Sequence, residues 1–122
     1  MDHTAIKETV LKGAEFLIAE TEAQQVFTPE DFNEEQLMVI EMVDDFIKNN
    51  IKPHDARIEK LDLDLIKKIM EEAGQQGLLG TTIPTEYEGS AQDFLTNIRL
   101  TESHSMSGSF SATIGAHMGI GT

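Results

Sequence analysis

The sequence predicts an all-α chain of about five helices. Apolar residues recur at helical spacing in successive segments. No alternation of apolar and polar residues outlasts a few positions, so nothing reads as a strand. With 122 residues, 39% of them hydrophobic, the chain is long enough for one moderate core and too apolar for a disordered polymer.

From Thr4 to about Thr21, Ile6, Val10, Leu11, Ala14, Leu17 and Ile18 mark one face of an amphipathic helix, weakened at Gly13. Pro29 and the acids after it read as a turn. Asn33 followed by Gln36 has the spacing of a capping box, and Glu34 and Glu35 suit the positive end of a helix dipole. The second helix, about Glu34 to Asn50, carries Leu37, Ile40, Val43, Ile47 and Ile51 on one stripe, widened by Met38, Met42 and Phe46. An apolar band that wide predicts a helix packed between two others. Asn49 and Asn50 suit its C-cap, and Pro53 ends it.

A third helix is expected from Leu63 to Gln76, with Leu65, Ile66, Ile69, Met70 and Ala73 inward and Gly77 as the stop. "LLGTTIPTEYEGS" then reads as a loop. "AQDFLTNIRLTESHS" restores helical period through Phe94, Ile98 and Leu100, and "GSFSATIGAHMGIGT" is the last helix.

A net charge of −13, from 22 acidic and 9 basic residues, disfavours phosphate backbones and anionic membrane surfaces as partners. The absence of cysteine excludes a disulfide framework, a thiolate metal site and a cysteine nucleophile. No run approaches the roughly 18–20 apolar residues of a membrane-spanning helix. "MDHTAIKETV" has neither the basic and apolar layout of a secretory signal nor the composition of a transit peptide, so a cytoplasmic, bacterial location is expected.

Catalytic signatures are missing. His3, His54, His104 and His117 form no i, i+4 pair and no metal-ligand pattern, so no metal is expected. Ser103, Ser105, Ser107, Ser109 and Ser111 lie in no nucleophile elbow. The closing segment is the unusual one. On a helix, Phe110, Ile114 and Met118 line one face, while Ala112, Gly115, Ala116 and Gly119 line another with almost no side chain. Each helical glycine costs roughly 1 kcal/mol relative to alanine, so a close neighbour is expected against that face. It is either a tightly packed helix or the contents of a cavity that side chains would fill.

"FTPEDFNEEQ", "GLLGTTIPTEYEG" and "GSFSATIGAHMGIGT", in that order and at these separations, resemble the N-terminal helical domain of the acyl-CoA dehydrogenase family over about residues 27–122. The preceding "LKGAEFLIAET" is similar to the extension of its very-long-chain-like branch. The resemblance implies an N-terminal extension over 1–26 and a helical domain over 27–122, incomplete at its C-terminal end. It implies a parent flavoenzyme in which a glutamate removes the α proton of an acyl-CoA, the β hydride passes to FAD, and electrons leave through an electron-transfer flavoprotein. The flavin-binding segment and the glutamate would lie beyond Thr122, so no catalytic or cofactor-binding residue is expected in this chain.

Partners implied are the remaining domains of the parent, which would be a homo-oligomer. Phe110, Gly115, Ala116 and Gly119 would border the acyl cavity. Glu88 departs from the family pattern, which has glycine there, and a positive φ at that position would strain it. Alone, the chain would expose the Phe110–Ile114–Met118 stripe and either self-associate or be only marginally folded. The alternative reading is an autonomous acidic helical module that binds a protein partner through its C-terminal face.

Overall fold

Acidic residues precede the apolar run from Leu37, and a helix starts there. In the computed structural model, which describes residues 11–121, α1 spans Glu34–Phe46. Asn49 and Asn50 do not cap it. The chain continues through a π turn at Ile47–Ile51 and a 3-10 turn at Lys52–His54 into the short α2, Asp55–Glu59. Proline brings no N–H for the carbonyl four residues back, and the path accommodates it by widening. The Lys52 N–H reaches Ile47 O, and Pro53 sits in the opening turn of the 3-10 segment. Asn50, placed inside the π turn, donates from Nδ2 to Glu72 at 3.0 Å.

The third helix forms where expected, as α3 over Leu63–Gln75. Asp62 caps it by accepting from the Leu65 N–H at 3.2 Å. Gly77, at φ +76°, stops it in the left-handed geometry glycine adopts freely. The loop that follows is tied back on itself. The Ser90 N–H donates to Gly80 O at 3.0 Å, Ala91 to Ile83 O at 2.9 Å and Gln92 to Thr81 O at 2.7 Å. A Cβ at Gly89 would lie 2.0 Å from Ile83 O, so only glycine fits there. Helix α4, Phe94–His104, and helix α5, Gly108–Ile120, complete the order. Helix α5 packs on α2, on α4 and on the Leu78–Gly80 turn. Its Phe110 ring lies 6.4 Å from that of Phe46 and edge-on to His104 at 6.2 Å.

The described residues are all-helical, but one expected helix is replaced. Residues 4–10 of the first lie outside the described residues. Over 11–21 there is only a 3-10 turn at Glu15–Leu17, because Gly13 takes φ +57° and breaks the period; Leu17 and Ile18 are exposed. Three other expectations change. The wide apolar band of α1 is buried only through Ile40, Val43 and Phe46, leaving Leu37, Met38 and Met42 exposed. On α4, Phe94 and Ile98 are 77% and 51% exposed, and the inward residues are Thr96, Leu100, Ser103 and His104. Side-chain hydrogen bonds make Thr96 and Ser103 tolerable inside: Thr96 pairs with Asp93 and Gln36, Ser103 with Asp44 and Arg99. Finally, Phe110 and Ile114 are core residues at 1% exposure, so the stripe expected to drive self-association is already covered.

Two compact units divide at Glu34 and Glu35. The first holds the Leu11 N–H to Gln25 O bond at 2.9 Å and the edge-on pair Phe27–Phe32. The second holds α1 from Glu35 onward and all of α2–α5. Among the described residues, no helix is long and apolar enough to cross a membrane.

Candidate functional site

Helix α5 is built so that its two faces differ in kind. Its N-terminus is held by α2, where Glu59 Oε1 accepts from the Ser109 N–H at 3.0 Å. The hydroxyl of Ser107, the N-cap residue, makes no such bond. Thr113 folds its hydroxyl onto Ser109 O at 2.9 Å, and the Gly121 N–H closes the other end on Ala116 O and His117 O. Phe110 and Ile114 anchor the inner face, with Met118 half-buried.

Gly115, Ala116 and Gly119 all lie on the exposed side. A Cβ added at Gly115 or Gly119 would meet nothing within 4 Å. Nothing in the described chain therefore presses on these glycines or offsets their cost in helix propensity. Phe110 is not part of that surface. It precedes Gly119 by about two and a half helical turns and points into the core. The structure thus groups Gly115, Ala116 and Gly119 on one open face and sets Phe110 on the other.

A second feature had no signal in the sequence. Along the α1–α4 seam, Arg99 Nη2 pairs with Asp44 Oδ2 at 3.0 Å, its Nε lies 3.5 Å from Glu102 Oε2, and its Nη1 donates to Ser103 Oγ at 2.7 Å. The Ser103 hydroxyl donates to Asp44 Oδ1. Lys52 Nζ, on the same side, donates to Met106 O at 3.0 Å. These residues line a cleft of about 340 Å³. Asp44 and Arg99 are 55 residues apart, too far for any local spacing rule to pair them.

The network has no nucleophilic character. The base beside Ser103 is a carboxylate already neutralised by Arg99, with no imidazole between them. The neighbouring His104 instead packs on the Phe110 ring, and burial pushes its pKa below the ordinary histidine value. At the head of α4, burial of the Asp93 carboxylate is outweighed by hydrogen bonds from the Thr96 N–H and hydroxyl and the Gln36 amide, which hold its pKa below the usual carboxylate range. Among the described residues, no three His, Asp or Glu side chains converge as metal ligands.

The family described as "Acyl-CoA dehydrogenase, N-terminal domain" matches residues 33–122. A probable acyl-CoA dehydrogenase of Bacillus subtilis is 39% identical over 113 residues, which is 93% of this chain and 19% of that protein. Mitochondrial isovaleryl-CoA dehydrogenase of Bos taurus is 31% identical over 87 residues, covering 70% of this chain and 20% of the relative. The crystal structure of an acyl-CoA dehydrogenase complexed with FAD from Bacillus anthracis superposes with a TM-score of 0.81 at 40% identity, over 91% of this chain and 19% of that one. The chain thus spans about a fifth of the length of the curated relatives it matches.

Proposed function

The chain belongs to the acyl-CoA dehydrogenase family, through its N-terminal domain, and from that premise we propose that it serves a flavin-dependent enzyme for α,β-dehydrogenation of fatty acyl-CoA. Its own part is to wall one side of the acyl-chain cavity with the Gly115, Ala116 and Gly119 face of α5. One observation supports this most directly: that face is open at every glycine although each glycine costs the helix stability. A surface kept free of side chains at a cost suits a neighbour that must come close, and an extended acyl chain is such a neighbour. Phe110 and Ile114 hold the helix in place from behind, as positioning residues.

The described residues do not make a flavin site. The cleft along α1 and α4 is lined by Lys48, Lys52 and Arg99 as well as by Asp44 and Glu102. Both carboxylates hold Arg99 and the Met106 carbonyl holds Lys52, so these two cations are already engaged. The glycine face of α5 is open, not a cradle. No step through the flavin is assigned to these residues. In this reading the flavin and the proton-abstracting carboxylate belong to further domains, and the chain is not catalytic alone. An electron-transfer flavoprotein as acceptor, a homo-oligomeric complete enzyme and a cytoplasmic location belong to the same proposal. Placement in the very-long-chain-like branch draws on "LKGAEFLIAET" alone, and none of the relatives named above carries that branch in its name.

The test is anaerobic titration of the polypeptide encoded by the whole reading frame with acyl-CoA thioesters of increasing length. Bleaching of a bound flavin by at least one of them is expected. A protein that binds no flavin, or whose flavin no acyl-CoA bleaches, would overturn the proposal.

A further inference from the structure

We draw no further inference here: the strongest candidate, the exposed apolar face that Leu37, Met38 and Met42 give α1, is an unpartnered surface, and nothing in the structure shows what covers it.

Discussion

Glu88 adopts φ +65° and ψ 17° with its side chain exposed. A side chain in that left-handed region costs roughly 1–2 kcal/mol, which glycine avoids. Replacing Glu88 by glycine is expected to raise the stability of the chain by about 1 kcal/mol, read as a higher urea midpoint at unchanged slope. A lower midpoint would show that the Glu88 side chain supplies an interaction larger than the strain. That strain was anticipated from the family pattern, because glycine and a positive φ are linked by sterics at a single residue. His104 was different. In the sequence it sits in a serine-rich stretch beside Glu102, and only the fold carries it under Phe110.

Burial lowers the folded-state pKa of His104 below its ordinary value of 6.5, so well above that value it is uncharged in both states and does not make stability depend on pH. As pH falls through 6.5 the unfolded chain takes up the proton first, and stability declines until the folded pKa is passed. Asp93 acts lower on the scale. Its depressed pKa contributes stability above the ordinary 3.8, lost as the pH drops below it. Urea midpoints measured against pH are expected to fall on the acid side of 6.5 for the native chain. They should fall less steeply between there and the carboxylate range for His104→Leu. Identical pH slopes for the two proteins would contradict a buried neutral imidazole.

Among the elements, α3 was the most legible, because its polar and apolar residues follow helical period up to the stop at Gly77, while its Asp62 cap emerged only in the structure. Helix α4 was legible as a helix but not in its orientation. The inward residues include Thr96 and Ser103, whose partners Gln36 and Asp44 lie on α1, and a hydrophobicity pattern is blind to polar groups satisfied across helices. The π turn before Pro53 was hidden for a related reason: proline predicts a break, while the backbone can also widen around it. On α5, periodicity located the two faces, but the Phe110–Ile114–Met118 stripe was expected to lie open in the chain alone and the small-residue face to be covered, whereas Phe110 and Ile114 are buried and Gly115 and Gly119 are open. Contacts of α5 with α2 and α4 decide which face is buried, and they are tertiary. The open glycine face carries its own prediction at this scale. Gly115→Ala and Gly119→Ala should each stabilise the chain by about 0.5–1 kcal/mol, because the new Cβ meets nothing within 4 Å and the helix gains alanine's propensity. Thermal or urea unfolding checks this, and a loss of stability in either variant would mean that something already packs on that face.

At the scale of the whole molecule, the same two glycines should behave in opposite ways in the chain alone and in the enzyme proposed to contain it. In the chain they are a cost with no return; in the proposed enzyme they would keep a cavity open. This separates a wall from a mere packing surface, since a residue that only supports the fold would affect all substrates alike. The family relationship was legible from the order and spacing of three short segments. The part given to Gly115, Ala116 and Gly119 was implied by that resemblance alone and stays a proposal, because the described residues enclose no space against that face.

The most direct test is therefore kcat/KM for acyl-CoA thioesters of graded length, measured on the complete enzyme with Gly119→Leu beside the native protein. If Gly119 borders the acyl chain, short substrates should keep their activity. Long ones should lose roughly tenfold for every two methylenes displaced, at about 0.8 kcal/mol each. An unchanged profile, or an equal loss at every chain length, would contradict the account.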